Sequence, residues 1–202
     1  MRSIAALVFP GFETLDLFGP IEMFGLLQDE FSISIVAEQA GQVTSAQGQR
    51  VFVDCTFSDA TDFDMLLIPG GPGTRTELTN PAVLDWLKTA SANAGIIMSV
   101  CTGSVLLASA GLLDGRRATS NKASFGWVRQ QGRDVDWVAR ARWVEDGRFF
   151  TSSGVSAGMD MSLAVIARLL DRAAADKVAQ IAEYQWHDDA SADPFAGLYG
   201  LG

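Results

Sequence analysis

The sequence predicts an α/β fold in which a mostly parallel sheet has helices on both faces. Short apolar runs that suit buried strands alternate with segments of helical periodicity as far as Leu170. The 202 residues are 48% hydrophobic and 19% charged, which is ample for one large core. Because no repeat or linker divides the chain, we expect a single domain over residues 1–202. Glycine, proline and aspartate are frequent at 191–202, which predicts a loose C-terminal tail.

The elements can be justified in chain order. Apolar or alternating runs predict strands at 3–9, 31–37, 50–55, 64–69, 96–100, 135–137, 142–145 and 149–151, with a strand or loop at 115–121. Apolar residues at helical spacing predict helices at 81–92, 122–131, 156–170 and 173–186. The alternating runs at 31–37 and 50–55 are typical of an edge strand and a hairpin. Gly19-Pro20 interrupts the pattern after the first strand, so we expect a short turn that carries Asp16 and a helix from Pro20.

The stretch 96–111 predicts a buried strand, a tight turn at Cys101-Thr102-Gly103 and a helix. This arrangement is a nucleophile elbow, which holds one side chain at the carboxyl end of the sheet. The first turn of the helix has unpaired N–H groups, and its positive end favours a thiolate. A buried structural cysteine is the alternative. The position of Cys101 in the turn favours a nucleophile.

Charge and cysteine content exclude several classes of function. With 24 acidic and 15 basic residues, the net charge of −9 disfavours a nucleic-acid partner. No apolar stretch is long enough for a membrane span, and Met1 leads directly into a strand, so we expect a cytoplasmic protein. In a reducing compartment Cys55 and Cys101 should be two free thiols.

Metal and nucleotide cofactors are not expected either. The single histidine, His187, lies in a polar segment, and the scattered cysteines offer no metal-ligand spacing. Neither a GxGxxG pattern after the first strand nor a phosphate-binding GxxxxGK[ST] pattern occurs.

Candidate reactive groups converge at one edge of the predicted sheet. Asp16, the Gly70-Gly71 amides and Cys101 each follow a predicted strand, at the sheet edge where α/β proteins bind ligands.

Four segments together resemble the ThiJ/PfpI superfamily, and within it the isocyanide hydratases: FPGFETLDLFGPIEMF, LLIPGGPGT, VCTGSVLLASAGLLDGRRATSN and SSGVSAGMDMSLAVI. The resemblance implies a flavodoxin-like three-layer sandwich and a homodimer. Amidase-like domains of AraC-type regulators share LDLxGP, PGGxG and CTG, but they continue into a helix-turn-helix region, which we do not expect in a chain that ends at Gly202. Many superfamily members carry histidine directly after the cysteine, where this chain has Thr102.

The resemblance implies a cofactor-independent lyase that adds water to an isocyanide and releases an N-substituted formamide. Cys101 would attack the terminal carbon to give a thioimidate. Asp16 would supply the proton and then activate water, since burial beside a thiolate raises the pKa of a carboxyl group. An apolar pocket suits such a substrate, and Phe12, Phe18, Phe125 and Trp127 are possible lining residues, each also a possible core residue.

For several further residues, a role in the reaction and a purely structural role both remain open. Thr102 and the Gly71 amide could stabilise charge on the adduct, or could be a helix start and a turn. The amides of Ser153 and Gly154 could face the same pocket. Cys55 is expected to be a packing residue. Two other functions also remain open, a redox-sensing protein with an oxidisable Cys101 and a small-molecule-sensing module.

Overall fold

The structure, a computed structural model, describes residues 1–59, 62–132 and 134–201. Its strands are β1 Arg2–Leu7, β2 Phe31–Ala37, β3 Gln42–Thr44, β4 Arg50–Phe52, β5 Cys55–Thr56, β6 Met65–Ile68, β7 Ile96–Ser99, β8 Arg117–Ala118, β9 Asp136–Trp137, β10 Trp143–Asp146 and β11 Phe149–Ser152. Its helices are α1 Thr14–Gly25, α2 Thr74–Glu77, α3 Pro81–Asn93, α4 Gly103–Ser109, α5 Phe125–Val128, α6 Ala157–Leu169, α7 Arg172–Ile181 and α8 Pro194–Leu198. Strands and helices alternate over most of the chain, as predicted.

Seven strands form the central sheet in the order β10-β11-β7-β6-β1-β2-β5. Neighbours pair in parallel except β10 and β11, which form an antiparallel hairpin around Gly147. Helices α1, α6 and α7 pack together, and α4 packs against α2 and α3. This confirms the predicted α/β class with a mostly parallel sheet.

The middle of the sheet is inaccessible to solvent. Strands β6, β7 and β11 are buried at every position. Strands covered on both faces have no side that tolerates polar residues, which explains why these segments are continuous apolar runs. The carboxyl ends of β1, β6 and β7 therefore emerge side by side from the centre of the core.

Helix α1 corrects one prediction. It begins at Thr14, before Asp16, and continues through Pro20 to Gly25. Pro20 cannot donate to the carbonyl of residue 16, so the helix lacks one backbone hydrogen bond at that point. Tertiary packing compensates, because Pro20 is buried and Gly19 contacts Met159 of α6 closely enough that a Cβ would lie 2.9 Å from its Cγ. Asp16 is consequently held on a helix rather than in a turn.

Several other boundaries also differ. The hairpin is formed by β3 and β4 as a separate sheet, and the short β5, not β2, lies at the edge of the main sheet. Helix α5 is a single turn, and α7 ends at Ile181, before Glu183, which adopts a positive φ of 48°. Helix α6 begins without a side-chain cap, since its N-cap residue Ser156 makes no capping bond.

The C-terminal segment is not a loose tail. It contains α8, whose N-cap Asp193 accepts a bond from Phe195 N–H at 2.9 Å. Asp193 is buried and lies 3.8 Å from the Nζ of Lys122, which is also buried. An ion pair removed from water needs fixed partners, so this segment is anchored to the domain. Among the described residues, no helix has the length and apolar character needed to cross a membrane.

Candidate active site

Cys101 lies in the turn between β7 and α4 with a positive φ of 57°. A non-glycine residue in this region is strained, and such strain is found where the surrounding structure over-determines it. Gly103 makes the turn possible, because a Cβ there would lie 2.3 Å from the Ile68 carbonyl oxygen. The Cys101 N–H donates to the Ser153 carbonyl at 3.1 Å, and its own carbonyl accepts from Ser120 Oγ at 2.8 Å. The predicted nucleophile elbow is present and rigidly held.

The Cys101 thiol is buried, with 6% of the residue exposed. Burial raises the pKa of this thiol, and the negative charge of Asp16 raises it further. Hydrogen bonds from the N–H groups of Thr102 and Val155 and from the Asn121 side chain lower it, but by less. The expectation that the helix N-terminus favours a thiolate is therefore wrong for the resting site, because desolvation outweighs the three donors. Those donors are nevertheless in place for a thiolate that forms during a reaction.

Asp16 is completely buried in the first turn of α1. One carboxylate oxygen, Oδ2, accepts from Gly70 N–H at 2.9 Å. Burial raises the pKa of this carboxyl to about 7, although the bond from Gly70 opposes the shift. The other oxygen, Oδ1, makes no hydrogen bond of good geometry within the described residues, yet the adjacent Cys101 thiol interacts closely enough to lower the pKa. Asp16 and Cys101 thus form a buried pair in which each influences the other's proton.

Thr102 connects the elbow to the glycine turn after β6. Its Oγ1 accepts from Gly71 N–H at 3.0 Å and from Thr74 Oγ1 at 3.2 Å. The Gly71 amide is therefore occupied, which contradicts its predicted role as a free donor to an adduct. Gly70 allows the close approach, since a Cβ there would lie 2.5 Å from the Thr102 nitrogen. The amides of Gly70 and Gly71 therefore bind Asp16 and Thr102.

The loop before α6 also differs from the prediction. Ser153 N–H donates to the Arg142 carbonyl at 2.8 Å and so points away from the sulfur. Gly154 packs against Asn121, where a Cβ would lie 2.4 Å from Nδ2. The amide that faces Cys101 belongs to Val155, which has a positive φ of 45°. A β-branched residue in that conformation is a clear outlier.

Val155 and Asn121 are therefore the site residues that sequence reasoning missed. Asn121 lies inside the segment quoted for the family resemblance, so its place there was the available signal. Nothing in the sequence marks Val155, since its strain appears only in the folded chain. The group that contacts the Cys101 sulfur is the Val155 backbone N–H, not its side chain.

Cys101 lies in the wall of a cavity of about 270 Å³. The other lining residues are Glu13, Gly71, Pro72, Thr74, Arg75, Thr102, Asn121, Ser124, Trp127 and Val155. Of the aromatic residues considered, only Trp127 lines this cavity, whereas Phe12 and Phe125 are core and Phe18 is 41% exposed. A separate cavity of about 280 Å³ beside β1 and β2 reaches neither Cys101 nor Asp16. The chemistry therefore belongs to the cavity that contains the thiol.

The remaining candidate groups lie elsewhere. His187 donates its backbone N–H to Asp160 Oδ1 at 2.9 Å, in the C-terminal segment rather than beside Cys101. Cys55 is a half-buried free thiol in the edge strand β5, and Cys101 is also free. Within the ranges that the structure describes, no group of three or more His, Cys, Asp or Glu side chains could hold a metal ion.

The chain is similar to known proteins in sequence and in fold. Isonitrile hydratase from Pseudomonas putida is 34% identical over 192 residues, which covers 95% of this chain and 80% of that protein. A deglycase from Thermococcus kodakarensis is 30% identical over 70% of this chain and 84% of its own. The crystal structure of a ThiJ/PfpI family protein from Pseudomonas syringae superposes with a TM-score of 0.81 at 35% identity, covering 91% of this chain and 75% of that one. Residues 2–168 match the sequence model of the DJ-1/PfpI family, and the chain belongs to that family.

Proposed function

We propose that this protein is an isocyanide hydratase, a lyase that adds water to an isocyanide to give an N-substituted formamide. The observation that carries the proposal is the buried pair of Cys101 and Asp16. The pKa of Asp16 is raised to about 7 by burial, so near neutrality this carboxyl can both hold and release a proton. The chain's one histidine, His187, lies in the C-terminal segment, where its backbone N–H donates to Asp160. Asp16 is therefore the acid and base beside the thiol.

The first stage forms a covalent adduct. In the resting site Cys101 is a thiol, because burial and the charge of Asp16 raise its pKa, and the reaction starts from the form in which Asp16 is ionised. As the sulfur attacks the terminal isocyanide carbon, its proton passes to Asp16 and from Asp16 to that carbon. A C–S bond and a C–H bond form, the carbon–nitrogen triple bond becomes a double bond, and the product is a thioimidate with Asp16 again ionised.

The second stage adds water and releases the product. The Asp16 carboxylate takes a proton from water, the hydroxide adds to the thioimidate carbon, and Asp16 returns the proton to nitrogen. The adduct then collapses: its hydroxyl proton leaves through Asp16, the C–S bond breaks, and sulfur is reprotonated. The N–H groups of Thr102 and Val155 and the Asn121 side chain stabilise the departing thiolate. One water is consumed and the site returns to its starting state.

The family relationship supports the same assignment but does not decide it alone. One relative that matches across nearly the whole chain is named a hydratase of isonitriles, whereas another is named a deglycase. Fold and family are shared by proteins of different activities, so the assignment has to rest on the site. A thiol and a carboxylate that exchange one proton supply every proton transfer that isocyanide hydration requires.

The test is the ultraviolet absorbance change when the protein is mixed with cyclohexyl isocyanide or an aryl isocyanide. We expect formamide from the wild type, and a loss of about a thousandfold or more in kcat for Cys101→Ala and Asp16→Asn, because each group takes part in every cycle. Cys55→Ala is the matched control, since it removes the other free thiol and should keep the wild-type rate. Absence of turnover in the wild type, or turnover retained by Cys101→Ala, would overturn the proposal.

A further inference from the structure

One cation at the mouth of the active-site cavity has no function in the proposed chemistry. Arg75, in α2, lines the same cavity as Cys101 and is exposed to solvent. Its guanidinium carbon lies 4.1 Å from the centroid of the Trp127 ring, which also lines the cavity. This contact holds the guanidinium group at the ring, and no hydrogen bond or ion pair within the described ranges uses its N–H donors.

A second arginine in the same protein shows what such a stack looks like when its charge is satisfied. Arg172 lies over the Trp186 ring at 4.3 Å, and it also pairs with Asp176 at 2.8 Å and Asp188 at 2.9 Å. Arg75 has no carboxylate within ion-pair distance among the described residues. The two guanidinium carbons lie at similar distances from their rings, but in the part of the chain that the structure describes only the arginine in the cavity lacks an ion pair.

Glu13, the carboxylate in the lining of this cavity, does not form an ion pair with Arg75. Glu13 also lines the cavity, but its Oε1 accepts from Gln47 Nε2 at 2.8 Å, on the side of the β3–β4 hairpin. The cavity therefore has an acidic side near Glu13 and a basic side near Arg75. An anionic ligand group would be drawn to Arg75 and repelled by Glu13, which fixes one orientation.

The position of Arg75 relative to the elbow makes this orientation productive. Thr74, the residue before it, donates to Thr102 Oγ1 at 3.2 Å, and Thr102 adjoins Cys101. Cys101, Trp127 and Arg75 line one cavity, so a ligand with its isocyano carbon at the sulfur can extend along Trp127 towards Arg75. A planar, apolar linker between the two ends of the ligand suits the indole surface.

We infer that the substrates of this site are isocyanides that carry a carboxylate group, which Arg75 binds through its free guanidinium edge. The inference rests on the proposed function, and it adds the chemical class of the substrate. Arg75 is then a specificity-determining residue: it selects the anionic substituent and takes no part in the proton transfers. Trp127 holds the guanidinium in place and contacts the linker.

The experiment compares 3- and 4-isocyanobenzoate with the corresponding isocyanobenzamides, which have the same shape without the charge. We expect the wild type to favour the carboxylates in kcat/KM by about tenfold, the effect of one hydrogen-bonded charge pair near the surface. Arg75→Gln should remove this preference, mainly through the KM of the carboxylates, and Arg75→Lys should restore only part of it. Arg172→Gln, which disrupts the equivalent stack outside the cavity, should keep the wild-type ratio.

Calorimetric binding to the Cys101→Ala protein separates this inference from the proposed function, because it needs no turnover. We expect the isocyanobenzoates to bind about tenfold more tightly than the amides, with the difference lost when Arg75→Gln is added and reduced by salt. Equal affinities for the two ligand classes, or a preference that survives Arg75→Gln, would overturn the inference. If the anion preference holds but the wild type hydrates no isocyanide, the proposed function fails and Arg75 remains an anion site without that chemistry.

Discussion

Asp16 and Asp160 are both completely buried, and they differ in how their charge is satisfied. Asp160 Oδ2 accepts from Arg142 Nε at 2.8 Å and Nη2 at 2.7 Å, and Oδ1 accepts from Tyr184 Oη at 3.0 Å and from the His187 N–H. Asp16 has one amide partner and an oxygen without a bond of good geometry. The same side chain at the same depth is a structural anchor in one place and, in the proposed reaction, a proton carrier in the other. What distinguishes them is the number of donors, not the burial.

The largest expected effect is on the anchor. Asp160→Asn leaves the Arg142 guanidinium buried without an anion, and it replaces one acceptor oxygen with an NH2 group, a donor that faces other donors. We expect the free energy of unfolding to fall by about 3–5 kcal/mol, as is usual when one partner of a buried ion pair is removed. Urea denaturation measures this. Asp176→Asn, in an exposed pair with Arg172, is the control and should change stability by less than about 1 kcal/mol.

The same substitution at Asp16 should have the opposite sign. Its pKa in the folded protein is about 7 against 3.8 in the unfolded chain, so the native state binds more protons between these values, and wild-type stability falls as pH rises through that window. Asn does not titrate. We therefore expect Asp16→Asn to gain on the order of 3 kcal/mol over the wild type between pH 4 and pH 8.

The measurement is urea denaturation of both proteins across that pH range. If the difference in unfolding free energy were the same at pH 4 and pH 8, Asp16 would not carry a raised pKa, and its assignment as the proton carrier would fail with it.

A smaller change sharpens the comparison further. Tyr184→Phe removes one of the donors to Asp160 but leaves the other bond to Oδ1, from the His187 backbone. We expect a loss of about 1 kcal/mol, which is the usual net worth of one hydrogen bond. Thermal unfolding at constant pH checks this. A loss as large as that of Asp160→Asn would mean that the network acts as a single unit and not as separable bonds.

The sequence predicted most of the fold because its central strands are buried on both faces. Such strands have to be apolar throughout, so β1, β6 and β7 could be located within a few residues. Helix α1 was misjudged because Pro20 breaks helices by a local rule, whereas packing of Gly19 and Pro20 against α6 overrides it. The short edge strand β5 was misplaced and helix α8 was missed, because their positions depend on contacts between distant segments.

The site was predicted in part for a similar reason. Cys101 and Asp16 follow strands whose carboxyl ends meet, so the alternation of elements was enough to bring them together. The partners of Gly71, Ser153 and Val155 depend on backbone directions of single residues in loops. Sequence patterns do not encode those directions, which is why the amide facing the sulfur was assigned to Ser153 or Gly154 instead of Val155.

The anchoring of the C-terminal segment bears on how this protein can be shortened for expression. The family match ends at residue 168, yet Asp160 takes two of its donors from residues 184 and 187, and Lys122 takes its counter-charge from Asp193. A fragment cut at the family boundary would expose α6 and leave Lys122 buried without an acid. The Arg142 N–H also donates to the Ala190 carbonyl. The Arg142 carbonyl accepts from the Ser153 N–H, and the Ser153 carbonyl accepts from the Cys101 N–H. The functional unit is therefore longer than the recognisable family segment.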